Sequence, residues 1–353
     1  MTKDIKFGIL LTTKNTYSMV EEWFNLYDYS NISILNLDLN SEEKLKIKGM
    51  EICKRHGIEF KECNGTEMQD NVEQALQFFY EEKGIEWLLY MHHDAYPMLK
   101  GTLENLNNIL VTSDNIKNFG VVGFNIYHDQ FDLQQFDRNK HQLMTTARSP
   151  LELGNGYYNG RVESRVDYQK FEFKPFAIES AMWSSVLINY HQFSKFITVD
   201  KDFNFFHSWD DIAFQFLSRN VYNIVLPSIS FGHDQRLKIK HKLPVSSPNE
   251  SLQKVEKLYG RFDHLSIWKD KWSFDPSLSK CVLGGDSAIN KGGKINKIIT
   301  ILSKFTKFDF SSSLETVARK SYKNSNRKSG EGNLINDFYK HDPKNGPLKY
   351  FEI

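Results

Sequence analysis

Cysteine is scarce. Cys53, Cys63 and Cys281 are the only three in 353 residues, too few and too scattered for a disulfide framework or a zinc knuckle, so reduced thiols in a cytosolic compartment are expected. Long apolar runs are missing too. No stretch approaches the roughly 20 apolar residues that span a bilayer, and the opening MTKDIKFGILLTTKN is too short an apolar run for a signal peptide. The expectation is a cytoplasmic protein, attached at most peripherally to the inner face of a membrane. Net charge of one sign is also lacking: 45 basic against 44 acidic residues give +1, which argues against a protein-wide surface for nucleic acid. The balance is uneven, because residues 291–353 hold 13 basic and 6 acidic side chains and leave the first 290 residues acidic. Aromatics are plentiful, with 27 Phe, 16 Tyr and 6 Trp, and a 40% apolar content excludes wholesale disorder.

The first 125 residues alternate between strand and helix signals. KFGILLTT (6–13), ISILNL (32–37), 58–63, IEWLLYM (85–91) and GVVGFNI (120–126) are short apolar runs of the strand type. Between them lie helical patterns over 17–27, from Ser41 as N-cap to Gly57 as stop, from Asp70 to Gly84, and over 102–110. Strands separated by helices of this length imply right-handed βαβ units and a parallel sheet covered on both faces. Ligands of such sheets sit beyond the carboxyl ends of the strands, which nominates Thr12, Thr13, Asp38 and His92-His93-Asp94. Residues 127–176 read as a long polar and aromatic loop region, 177–190 as buried, and 221–231 as a strand in which Pro227 marks an edge or a bend. GGDSAINKGG (284–293) is a linker by composition. The predicted layout is a catalytic body over 1–240 (a nucleotide-binding half, 1–126, and an acceptor half, 127–240), a helical extension over 241–290 and a basic, partly disordered tail over 291–353.

LLYMHHDAYP (88–97) is the strongest local signal. A buried strand delivers two imidazoles and a carboxylate into a turn, offering hard oxygen for Mg²⁺ or Mn²⁺ and nitrogen for an ion of the Mn²⁺ kind. Asp94 as a local cap explains the segment equally well. In FFHSWDDIAFQFLSRN (205–220), Asp210 and Asp211 open a helix; one is expected to cap it and the other is free to act as a general base. SFGHD (230–234) adds His233 just past a strand end.

Taken in order, these segments resemble the family 2 glycosyltransferases of the GT-A fold, especially the streptomycin-biosynthesis-type glycosyltransferase-like domain. FGILLTTKN is similar to the family's first strand, ILNLDLNS to the second, and MQDNVEQAL to the segment before the metal strand. LLYMHHDAYP stands where the family has Asp-x-Asp or His-x-Asp, and SWDDIAFQFLSRNVYNIVLPSISFGHD follows its acidic pair, helix, strand and histidine. The resemblance covers roughly residues 5–235. It implies an α/β, Rossmann-like, mostly parallel sheet flanked by helices, with a helical C-terminal extension.

It also implies transfer of a sugar from a nucleotide donor, UDP-sugar favoured, to a glycan or lipid-linked glycan, with inversion. Asp38 would bind the base and ribose, with Thr12, Thr13, Asn71, His92 and His93 beside the donor. Asp94 and His233 would hold Mn²⁺ or Mg²⁺ at the diphosphate, and Asp211 or Asp210 would be the base. His92 replaces the first acid of Asp-x-Asp, so fewer carboxylates face the ion. Two rivals stay open: a nucleotidyltransferase, which would carry a Gly-rich loop after the first strand where LLTTKNTYS has no glycine, and a non-catalytic glycan-binding protein. The basic, amphipathic stretch within 291–310 suits either an anionic membrane surface or packing on the body. Oligomeric state is not legible.

Overall fold

A computed structural model describes residues 5–26, 29, 31–63, 68–97, 101–128, 174–178, 180–181, 184–203, 208–233, 264–272, 334–340 and 348–353. Its centre is a sheet of nine strands among the described residues. They are β1 (Phe7–Thr13), β2 (Ile34–Asp38), β3 (Glu59–Glu62), β4 (Trp87–His92), β5 (Ala95–Pro97), β6 (Val121–His128), β7 (Phe176–Ile178), β8 (Ser185–Asn189) and β9 (Asn223–His233). The order is β3-β2-β1-β4-β8-β6-β9-β5, with β7 also on β9. The first four strands are parallel, β8 runs antiparallel between β4 and β6, and β6 and β9 are again parallel. The α/β class expected from the sequence, a Rossmann-like sheet flanked by helices, is borne out.

Alternation along β1 divides the core. Phe7, Ile9 and Leu11 face α1 (Tyr17–Leu26), α2 (Glu43–His56) and α4 (Thr102–Thr112), burying Trp23, Ile52 and Leu106. Leu10, Leu88 and Tyr90 face the other way, against α3 (Met68–Gln77), α5 (Tyr190–Phe196) and α6 (Ser208–Ser218). α2 ends as expected at Gly57, whose φ of 69° lets its N–H reach back to the carbonyls of Cys53 and Lys54. Its N-cap, however, is Glu42 rather than Ser41, because the Ser41 hydroxyl is engaged by the neighbouring loop. α3 starts two residues before Asp70 and runs into a π-turn, Phe78–Glu82, before Gly84 (φ 66°).

Pro227 marks a bend and not an edge. The register between β6 and β9 slips from Phe124–Leu226 to Asn125–Ser230, leaving Pro227–Ile229 as a bulge inside the sheet, where a missing N–H is harmless.

The described C-terminal segments pack on the body. Trp268 of α7 (His264–Trp272) and Leu334, Ile335 and Phe338 of α8 (Leu334–Lys340) form a third apolar cluster with Phe203, Phe214 and Leu217. The last residues flank β7: Ala177 N–H donates to the Lys349 carbonyl, Phe351 N–H to that of Pro175, and the Phe351 ring sits between Phe119 and Tyr222. Residues 348–353, at the end of the predicted tail, thus pack on the body. The 127–176 loop region from 129 to 173, the linker at 284–293 and the 291–310 stretch lie outside the described residues. Among the described residues, no helix is long and apolar enough to cross a membrane.

Candidate active site

Strand register brings the nominated residues of the first half together. Thr13 pairs with Asp38 across β1 and β2, and Thr12 pairs with His92 across β1 and β4, so the carboxyl ends of three adjacent parallel strands form one row.

At one end of the row Asp38 is buried and both its oxygens are engaged. The Tyr17 hydroxyl donates to Oδ2 at 2.5 Å and the Ser41 N–H donates to Oδ1 at 2.8 Å. Asn36 Nδ2 reaches the Tyr17 oxygen at 3.3 Å, and the Thr13 hydroxyl donates to Asn36 Oδ1 at 3.1 Å. Burial, then the Asp38 carboxylate, hold the Tyr17 hydroxyl far above its ordinary pKa, so it stays a donor. Gly49 of α2 permits the arrangement, since a Cβ there would stand 2.4 Å from the Tyr17 ring. The loops after β1 and β2 are stitched together: Asn15 N–H donates to Ser41 Oγ, and Glu42 N–H to Asn15 Oδ1. Asn15 and Asn40 both adopt φ of 60°, a region asparagine tolerates. Asn71 closes this end from α3, accepting from the Cys63 thiol at 2.7 Å, while Cys63 N–H donates to the Asp38 carbonyl. In this geometry both oxygens of Asp38 are spent on holding the loop after β2.

At the other end, His92, His93 and Asp94 present ligand atoms within 4.8 Å of one another. His92 Nδ1 contacts Asp94 Oδ1, and His93 Nε2 lies 4.0 Å from Asp94 Oδ2. Two imidazoles and one carboxylate fit a borderline divalent ion of the Mn²⁺ kind better than Mg²⁺, which prefers an all-oxygen shell. Asp94 lies in the turn between β4 and β5. β5 pairs with the end of β9, setting Ala95 opposite His233 and placing that residue's backbone one position from Asp94. The glycine of SFGHD is required there, because a Cβ on Gly232 would meet the Tyr96 ring at 2.3 Å.

The acidic pair reaches the same side of the sheet through packing. Thr12 Oγ1 and Tyr90 OH are hydrogen-bonded at 3.0 Å, and the Tyr90 ring lies against Trp209 of α6 at 5.3 Å. Tyr90 precedes His92 by two positions, so both occupy the face that α6 covers. The helix begins at Ser208, and both acids fall within its first turn; neither is the N-cap residue. Asp210 is buried with Oδ1 accepting from the Ser180 hydroxyl at 2.5 Å.

Asp211 is enclosed. Gln69 (3.0 Å), Gln215 (2.8 Å) and Lys271 (2.9 Å) donate to its Oδ2, and Trp272 Nε1 donates to Oδ1 at 2.8 Å. Lys271 also pairs with Asp200 at 2.6 Å, and Gln69 Oε1 accepts from Asp200 N–H. Desolvation pushes the Asp211 pKa above its ordinary value, with Lys271, Gln69 and Gln215 pulling it back.

Several of these partners were not singled out from the sequence. Tyr17, Ser180, Lys271 and Trp272 lie in segments that read only as helix, buried run or helical extension. Gln69 and Gln215 had a signal, their places in MQDNVEQAL and SWDDIAFQFLSRN.

Neither the family models nor the curated proteins contain a match to this sequence. Among solved structures, the mannosyltransferase PcManGT from Pyrobaculum calidifontis, in complex with GDP-Man and Mn²⁺, is similar at 12% identity over 91% of this chain and 85% of that one, with a TM-score of 0.44. TarS from S. aureus in complex with UDP-GlcNAc is similar at 10% identity over 88% and 75%, with a TM-score of 0.39. A cytidylyltransferase from Leptospira borgpetersenii is similar at 12% identity over 75% and 94%, with a TM-score of 0.35. Likeness of this degree carries no functional weight, which rests on the side chains.

Proposed function

We propose that the protein is a glycosyltransferase that uses a nucleoside-diphosphate sugar and transfers with inversion. One observation carries this reading: the Thr12–Tyr90–Trp209 contact chain sets the acidic turn of α6 on the same face of the sheet as His92, beside the row of strand ends that includes Asp38 and Asp94. A diphosphate leaving group and an acceptor hydroxyl need those two kinds of chemistry side by side.

The loop held by Asp38, Tyr17 and Ser41 supports the base and ribose, with Thr12, Thr13 and Asn71 around it. His92 and His93 face the diphosphate, where imidazolium or imidazole N–H groups neutralise or hydrogen-bond its oxygens. A divalent ion held by Asp94 and the two imidazoles, with His233 near, would supply further positive charge at the leaving oxygen. Asp210 is the base: it takes the proton of the acceptor hydroxyl as that oxygen bonds to the anomeric carbon and the bond to the diphosphate breaks. Ser180 fixes its carboxylate. General-base assistance of this kind contributes about 10²–10⁴-fold. Asp211 has no such role, since four side chains already occupy its oxygens.

A nucleotidyltransferase reading loses support at the loop after β1, where Asn15, tied to Ser41 and Glu42, stands in place of a phosphate-cradling glycine run.

Turnover of a nucleotide-sugar panel, with and without Mn²⁺, tests the reading. Asp94→Asn is expected to lose transfer at an unchanged melting temperature. Asp210→Asn should lower kcat by at least about 100-fold with donor KM little changed. Near-normal turnover in either variant contradicts the assignment.

A further inference from the structure

A cavity lies beside the C-terminal half of α6. It measures about 710 Å³ and is bounded by the 198–202 loop, Gln215 and Ser218 of α6, Arg219 in the turn after it, and Lys271 and Trp272 of α7. Clefts that take small ligands span about 300–1,000 Å³, so a short oligosaccharide fits by size. Ser218 is seven positions beyond Asp211, about 10.5 Å along the helix at 1.5 Å per residue.

The lining is specific in character. Asp200 and Asp202 oppose Lys201, Arg219 and Lys271, so an anionic ligand would meet two carboxylates and an apolar one would strand charges. Lys271 is in any case committed to Asp200 and Asp211. The Trp272 indole is pinned by its hydrogen bond to Asp211 and by the edge of Phe214 at 5.5 Å. Lys271 stands over one face of that indole at 5.8 Å. A fixed aromatic surface beside the Asp202 carboxylate, the Arg219 guanidinium and the Ser218 hydroxyl matches a neutral, hydroxyl-rich ligand: the indole packs on a sugar's C–H face, and the two charged groups take pairs of hydroxyls.

We infer that this cavity is a second carbohydrate-binding site, for a neutral glycan segment, outside the donor site. Binding there requires no transfer chemistry, so the inference stands or falls separately from the reaction proposed above.

Calorimetric titration of the full chain with maltotriose, chitotriose and mannotriose, and with inorganic phosphate as the anionic control, tests it. At least one trisaccharide is expected to bind, and Arg219→Ala and Asp202→Ala are each expected to weaken it about tenfold or more, equivalent to about 1.4 kcal/mol. Both side chains are exposed, so the fold tolerates these changes. Nucleotide-sugar affinity, measured in the same variants, should be unchanged. Absence of binding by all three sugars, binding indifferent to both substitutions, or binding of phosphate in their place overturns the inference.

Discussion

Two buried carboxylates, Asp38 and Asp211, differ in how they are held. Asp38 is served by neutral donors from nearby in the chain, the Tyr17 hydroxyl and the Ser41 N–H. Asp211 is served by a cation, an indole and two amides, with Gln69 142 residues before it and Lys271 60 residues after it. The first network shapes a loop at the strand ends; the second fastens α3, α6 and α7 together. A carboxylate in a motif can thus mark a ligand site or a joint, and the partners decide which.

The largest consequence falls on the joint. Asp211→Ala leaves Lys271 facing Asp200 alone and strips Gln69, Gln215 and Trp272 of their acceptor. Breaking a buried pair in this way costs about 3–5 kcal/mol, measurable by urea denaturation; a loss below about 1 kcal/mol would mean that α7 is not fastened through this carboxylate. Tyr17→Phe comes next. It orphans one oxygen of a buried carboxylate, for an expected loss of about 2 kcal/mol, together with weaker nucleotide-sugar binding. Lost stability with donor affinity intact would separate Asp38 from the donor site.

The smallest effect is in pH. Because burial raises the pKa of Asp211 in the folded state, the native protein binds more protons there than the unfolded chain does at pH values between the two pKa values. Stability from this group therefore falls as pH rises from the ordinary value of 3.8 through the raised one. Asp211→Asn does not titrate, so the wild type's advantage over it should shrink with rising pH across that window. An advantage that grows with pH would show that Lys271 outweighs desolvation.

The comparison also shows what a sequence can disclose. Five strands and four helices of the first half were legible because each carries its own periodicity and stop signals, such as Gly57 and Gly84. Strand-end reasoning nominated Thr12, Thr13, Asp38 and His92, and the register of β1, β2 and β4 aligns them in one row. Local pattern could not show which oxygens were already engaged. Asp38 and Asp211 both read as available acids, and their partners at Tyr17, Lys271 and Trp272 sit in segments whose own patterns describe only packing. The N-cap expectation failed similarly: α6 starts at Ser208, and Asp210 bonds to Ser180, thirty residues upstream. The docking of residues 348–353 on β7 is another long-range pairing that a short polar and aromatic stretch does not announce.

The central claim is that the carboxyl ends of β1, β2 and β4 form a donor site. Thermal denaturation of the full chain against a panel of nucleoside-diphosphate sugars, in the presence of Mn²⁺, tests it most directly. At 100 times its Kd, one of them should add about 2.7 kcal/mol of stability, and Asp94→Asn should lose most of that gain. A wild type that no nucleotide sugar stabilises, with or without Mn²⁺, would contradict the account.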